Sequence, residues 1–268
     1  MAADIKSLRT RIKSVNSTLH LTKAMGLVAS SKIRRATEAM NKGRQYEAAV
    51  RDAMSLLTAS SECAKSPFMQ KRDGGRTRIV VIAGDRGLAG GYNANVFRLA
   101  KEYPDAEFIG IGKRACDRFH TPLIRAEGFS YDDAMAVAKK LCEDFRNGEY
   151  DKLAFIGTKY VSMMTQEAQV NDILPLERTE STSGAGIIFE PDELTILNNA
   201  VLEYVTGILV ATVRESFTSE VAARRTAMDS AGKNAQEMID SLSLKYNRAR
   251  QSAITQEITE LVAGSGEQ

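Results

Sequence analysis

With 268 residues, 43% of them hydrophobic, the chain can bury one or two packed domains, and its overall composition is not that of a disordered chain. Aromatics are only 6% and Trp is absent, while Ala, Leu, Lys, Arg and Glu are plentiful, a balance that leans toward long helices. The formal net charge of +2 hides an uneven spread: residues 1–51 hold Lys6, Arg9, Arg11, Lys13, Lys23, Lys32, Arg34, Arg35, Lys42, Arg44 and Arg51 against Asp4, Glu38 and Glu47.

Such a basic arm suits an acidic protein surface, a phosphate backbone or anionic headgroups, and it is equally what a solvated helix face looks like. Cys63, Cys116 and Cys142 are odd in number, far apart and without a CxxC pair, which argues against a disulfide framework or a zinc site and fits a reducing compartment. Lys23 and Gly26 interrupt the apolar stretch at 19–31, so no export signal is read there. The most apolar window, Val205 to Val213, is shorter than the roughly 20 residues of a membrane-spanning helix, and the chain is expected to be soluble.

An interior proline removes a helical hydrogen bond and clashes with the turn before it. The prolines fall at 67, 104, 122, 175 and 191, leaving both ends of the chain free of breakers. In the first arm, Ile5, Leu8, Ile12, Val15, Leu19, Thr22, Gly26, Ala29, Ile33, Ala36, Met40, Gly43, Glu47, Val50, Met54 and Leu57 step by alternating three and four, which is a heptad seam. Thr22, Gly26, Gly43 and Glu47 are poor knobs, and Gly weakens a helix interior by roughly 1 kcal/mol, so close helix approach or a bend is implied. A helix of that length runs on the order of 80 Å and must find a partner along it.

The middle alternates β-branched runs with helical patterns, which predicts a mostly parallel α/β sheet over 74–190. Strands are expected at 78–83, 107–111 and 152–157, helices at 93–101 and 132–146, and a loop at 179–186. Two glycine-rich turns lie here. Gly84–Gly91 is not a P-loop, because Tyr92 and Asn93 stand where Lys and Ser or Thr must meet the terminal phosphates and magnesium. Gly110, Gly112 and Ala115 match GxGxxA between a strand and a helix, but on the second strand and with no acidic residue clearly ending the next one, so the dinucleotide signal is weak. His20 and His120 sit in no metal-ligand spacing and beside no nucleophile motif.

The closing arm, 192–264, carries Val221, Met228, Ala231, Ala235, Met238, Leu242, Ala249, Ile254, Ile258 and Leu261 at spacings of mainly three, four or seven. Its small knobs against the larger ones of the 1–60 arm predict an antiparallel two-helix coiled coil formed by the chain's ends. The expected fold is therefore an α/β, Rossmann-like central sheet plus that coiled coil.

Three segments resemble the gamma subunits of bacterial F-type ATP synthases: Ser14–Ala36 with LTKAM and VASSKIRRA, Asp85–Asn93 with DRGLAGGYN, and the stretch from Ser219-Glu220 through Ala222-Ala223-Arg224 and Met228 to Tyr246–Gln251 and Ile254–Glu257. Mild departures are Gly26, Gly84, Ala89 and Ser265, where a long polar residue, Ser, Cys and Ala are expected. The resemblance implies a central-stalk rotor subunit that transmits rotation between a membrane ring and the catalytic alpha and beta subunits, coupling proton or sodium flow to ATP synthesis. It implies no catalysis, cofactor, metal or small-molecule substrate of its own, an epsilon-type subunit as a further partner, no nucleic acid, and a peripheral position on the cytoplasmic face of the cell membrane.

It also implies that Lys23, Met25, Arg250 and Gln256 touch a catch loop of the beta subunits, and that Ile254, Ile258 and Leu261 form an apolar bearing at the tip or continue the seam. The sequence has no counterpart of the paired-cysteine regulatory insertion of chloroplast relatives. Rival readings are a nucleic-acid-binding coiled coil, which needs basic residues on the solvent side of the arms, and a small dehydrogenase using the Gly110–Ala115 turn.

Overall fold

A computed structural model describes residues 2–72, 74–179 and 189–265, with side chains described from Asp4 to Val262. In chain order it contains α1 (Ala2–Thr58), a 3-10 turn (Glu62–Lys65), β1 (Thr77–Ile82), α2 (Tyr92–Ala100), β2 (Glu107–Ile111), α3 (Lys113–Phe119), α4 (Tyr131–Arg146), β3 (Lys152–Tyr160), β4 (Gln166–Leu174) and α5 (Glu193–Ser265). The expected loop at 179–186 lies, apart from Thr179, outside the described residues. Two compact units result: one of residues 1–29 with 225–268, the other of 30–224.

The larger unit is a layered α/β domain. Its sheet has the order β2-β1-β3-β4, with β1 parallel to β2 and β3, and β4 antiparallel to β3. Every residue of β1 after Thr77 is buried, as expected of a strand covered on both faces. Alternation then divides it: Ile79 and Val81 join Val96, Ala100 and Ala115 on one face, while Val80 and Ile82 join Phe155, Leu141, Phe145, Leu209 and Val213 on the other. β4 was not among the expected strands. Its polar composition, QEAQVNDIL, follows from an edge position in which only Ile173 and Leu174 are buried.

α4 is held by local chemistry. Ser130 Oγ accepts from Asp133 N at 3.1 Å and the Asp133 carboxylate accepts from Ser130 N at 2.9 Å, a reciprocal capping box at the helix start. Those bonds to the charged carboxylate hold the Asp133 pKa below its ordinary value.

Within this unit α5 crosses the sheet where small residues allow it. Gly157 of β3 faces Thr212 and Ser216 of α5, Thr158 N donates to Ser216 Oγ at 2.9 Å, and Ser219 Oγ donates to Thr158 O at 3.2 Å. Tyr92 Oη, at the start of α2, donates to Ser216 O at 3.0 Å. Gly43 of α1 lies against the backbone of Ala211, with 3.3 Å between an added Cβ and the Ala211 Cα. By length and composition one stretch of α5 could cross a membrane, but 67% of that window is buried inside the protein, where Val201, Val205, Ile208 and Leu209 form core. An apolar run of this kind is a core helix segment.

The smaller unit is a pair of antiparallel helix segments. Gly26 lies against Met228 and Asp229, and Gly232 against Thr22 and Leu19, so the numbers of facing residues total 254 (26 with 228, 22 with 232). On α1 none of the eight seam positions of this unit, from Ile5 to Ala29, is exposed; the eight from Ile33 on lie in the larger unit and are not exposed either, with Met54 and Leu57 in its α/β core. On α5 the structure corrects it. Met238 is 45% exposed, whereas Ile239 is half-buried, because the three-four step through Ala235, Ile239, Leu242, Tyr246 and Ala249 passes one residue later. Ile254, Ile258 and Leu261 do not continue the seam; they are 46%, 55% and 74% exposed. At a total of 254 their register lies beyond the described residues of α1.

Candidate partner-contact surface

The two glycine-rich turns come first, since they are where a small molecule would bind. Both turns lie at the C-terminal edge of the parallel strands, the usual ligand end of such a sheet. The N-terminus of α3 carries free backbone donors, as every helix start does. Here Lys113 N donates to the Asp85 carboxylate at 3.0 Å, and the same carboxylate accepts from Ala126 N at 3.3 Å and Glu127 N at 2.8 Å. A protein carboxylate thus stands where a pyrophosphate would sit in a dinucleotide fold.

The glycines of the fingerprint are consumed by packing. A Cβ on Gly110 would fall 2.6 Å from Cys116 N, and Gly112, at φ +89°, leaves no room for a side chain against Ala83 O. In the other turn, Asn93 Oδ1 accepts from Gly84 N at 2.9 Å, Leu88 takes φ +62° and Gly90 φ +58°. The GxGxxA and GDRGLAGG patterns therefore build close strand–helix contacts, and at the start of α3 the backbone donors Gly112 N, Lys113 N and Arg114 N are already paired with the protein. Asp85, quoted in sequence only as part of a motif, is the residue that pairs Lys113 N. Among the described residues, no three His, Cys, Asp or Glu side chains gather as a metal-holding group. The Cys142 thiol is pushed up to about 12 by burial, so it is a packing residue rather than a nucleophile.

The remaining candidate surface is helical. Lys23 is exposed and has no hydrogen-bond or ion-pair partner among the described residues, and Met25 is half-buried. Arg250 is exposed without such a partner, and Gln256 is exposed with its Nε2 donating to Glu260 Oε1 at 2.8 Å, one helical turn on. The structure does not bring these four together. By the helix register, Lys23 faces residue 231, nineteen positions from Arg250, which at 1.5 Å per residue is about 28 Å. Lys23 and Met25 form one zone with exposed Leu21, Leu27 and Val28; Arg250, Ile254, Gln256, Ile258 and Leu261 form another. Ile239 and Tyr246 were overlooked in sequence, although stepping three and four residues back and forward from Leu242 finds both.

A mostly parallel α/β sheet in one unit and a pair of antiparallel terminal helix segments in the other, one of them lined with exposed cations, define a two-unit α/β plus coiled-coil protein. A family profile described as ATP synthase matches residues 4–266. The ATP synthase gamma chain of Ruminococcus albus is 43% identical, covering 98% of both chains, and the sodium ion specific ATP synthase gamma chain of Acetobacterium woodii is 36% identical, covering 99% of both. The chain belongs to the family of ATP synthase gamma chains. Among solved structures, a chain of the Euglena gracilis mitochondrial ATP synthase superposes with a TM-score of 0.70 over 98% of this chain and 94% of its own length, at 17% identity. A chain of the Tetrahymena thermophila mitochondrial central stalk and c-ring superposes at 0.62, over 79% of this chain and 99% of its own, at 21% identity. At those identities the likeness establishes the fold.

Proposed function

We propose that this chain is the central-stalk rotor subunit of an F-type ATP synthase, transmitting rotation between the membrane ring and the catalytic alpha and beta subunits and so coupling proton or sodium flow to ATP synthesis. One observation carries the reading: a paired-helix seam that is unexposed on α1 from Ile5 to Ala29, with exposed cations outside it and exposed Ile254, Ile258 and Leu261 on α5. A cam needs stiffness and lateral asymmetry. The seam supplies the first and the one-sided charge the second.

On this reading the chain is not itself an enzyme and turns over nothing covalently. It binds alpha and beta subunits, an epsilon-type subunit and the membrane ring, and lies peripherally on the cytoplasmic face of the membrane. Lys23 and Met25 meet the beta subunits at one level and Arg250 and Gln256 at another, where charge-assisted hydrogen bonds are strong yet can be exchanged as the shaft turns. Ile254, Ile258 and Leu261 serve as an apolar bearing, consistent with their exposure.

The test is assembly. Mixing the purified chain with alpha and beta subunits should give a stable complex with enhanced ATP hydrolysis, and Arg250→Ala should lower coupled turnover more than it lowers stability of the free chain. Failure to co-assemble overturns the proposal; unchanged turnover in the assembled variant removes Arg250 from the contact. The exposed bases of α1, which include Arg9, Arg11, Lys13 and Lys23, also suit a phosphate backbone, and salt-sensitive binding of RNA or DNA by the purified chain would favour that reading instead.

A further inference from the structure

Glu220 and Arg224 lie one turn apart on α5, in the α/β unit, and form an ion pair in which Glu220 is only 3% exposed. A buried ion pair is weak evidence for stability, since well-packed apolar residues of the same volume often do as well. This pair does something that apolar residues could not. Arg224 Nη2 donates both to the Glu220 carboxylate and, at 3.3 Å, to the carbonyl of Gly87. The Glu220 carboxylate in turn fills the space beside Gly84, where an added Cβ would fall 2.7 Å from its Cδ and Oε1. One side-chain pair therefore touches the Gly84–Gly91 turn at both its start and its middle.

We infer that Glu220 and Arg224 are positioning residues whose ion pair pins the Gly84–Gly91 turn to α5, so that turn and helix move as one body when the shaft carries torque. The inference rests on the rotor role for its consequence, although the pin itself belongs to the free chain. The other charged groups around it are Asp85 and Arg86 of the turn, Glu127 of the segment before α4, and Lys32 of α1, with Glu127 paired to both Lys32 and Arg86. Burial raises the Glu220 pKa; Arg224 opposes that, and Asp85 and Glu127 add to it. The pin is accordingly easier to neutralise by protons than an ordinary surface pair.

The experiment compares wild type with Glu220→Gln, Arg224→Lys and Gly84→Ala. Backbone hydrogen exchange of the 84–91 turn is followed in the full chain, and ions pumped per ATP hydrolysed are measured in the assembled membrane complex. Glu220→Gln and Gly84→Ala should each speed exchange of the turn about tenfold or more and lower ions pumped per ATP. Arg224→Lys, which keeps the cation but on a shorter side chain that lacks the planar guanidinium, should fall between. Unchanged exchange in the folded variants overturns the pin, and full pumping with a loosened turn overturns its role in torque. Should Glu220→Gln not fold, Gly84→Ala decides from the turn side. Should even the wild-type chain fail to join alpha and beta subunits, the rotor reading fails, while exchange of the turn still tests the pin.

Discussion

Gly157→Ala should be a costly substitution for its size, because it lies where α5 is stitched to β3. The new Cβ would fall 2.5 Å from Thr212 Cγ2 and 3.0 Å from Ser216 Oγ, against the roughly 3.5–4.0 Å at which carbon atoms rest. Thr212 has little freedom to turn aside: it is β-branched, and its Oγ1 donates to Ile208 O at 2.7 Å. Relief requires α5 to back away by about 1 Å, which lengthens the Thr158 N to Ser216 Oγ bond. Overpacking costs about 1–3 kcal/mol, the weakened buried hydrogen bond about 1 kcal/mol, and replacing a strand glycine returns roughly 0.5–1 kcal/mol. The net expectation is a loss of about 1–3.5 kcal/mol. Urea unfolding of the purified chain, followed by circular dichroism, measures it, and Thr212→Ser supplies the control because it deletes the offending methyl while keeping the hydroxyl. In a double-mutant cycle the pair should recover at least about 1 kcal/mol over the sum of the singles. A Gly157→Ala protein within about 0.5 kcal/mol of wild type, or strictly additive singles, would refute the close-approach argument.

Ser130→Ala should cost about 1 kcal/mol by removing the α4 cap. It should also flatten the acid side of the stability curve, because the depressed Asp133 pKa contributes stability that is present above its unfolded value of 3.8 and lost as pH falls through the lower folded value. Glu220 has the opposite sign. Its folded pKa lies above the unfolded 4.5, so its contribution is full below that value and is lost as pH rises through the folded one. Urea midpoints from about pH 4 to about pH 7 should therefore fall less in Glu220→Gln than in wild type. Replacing Ile254, Ile258 and Leu261 together by Ala should leave the midpoint unchanged within about 0.5 kcal/mol, whereas Leu242→Ala, at a seam position 9% exposed, should cost about 2 kcal/mol or more in the same assay.

How much of this was legible in sequence depends on how local the signal is. The α1 seam was readable throughout because large residues alternate with polar ones over many turns, and even its poor knobs, Thr22, Gly26 and Gly43, proved to be buried positions. The α5 seam was harder. Its knobs are often Ala, which occurs as readily on an exposed face, so Met238 drew the reading away from Ile239. β4 was missed because strand signals are strongest where both faces are covered, and an edge strand that buries only its last two residues lacks them. Asp85 carries the most information and the least sequence signature: a carboxylate capping a helix that begins twenty-eight residues later leaves no local pattern.

The same blindness to partners explains the split among the four nominated contact residues. Motifs report which residues recur together, and the register reports where they stand. With facing residues totalling 254, Met25 sits opposite Asp229, whereas Arg250 sits opposite the first turn of α1. A patch holding Lys23, Met25, Arg250 and Gln256 would require one helix to slip past the other by about nineteen residues, which would drive Gly26 away from Met228 and Gly232 away from Thr22. The glycines at those crossings hold the backbones close in this phase, and a slip of nineteen residues would remove both from the residues they now meet. A beta-subunit contact involving all four must therefore reach the helices at two heights, and a loop too short to span about 28 Å can touch one zone or the other but not both.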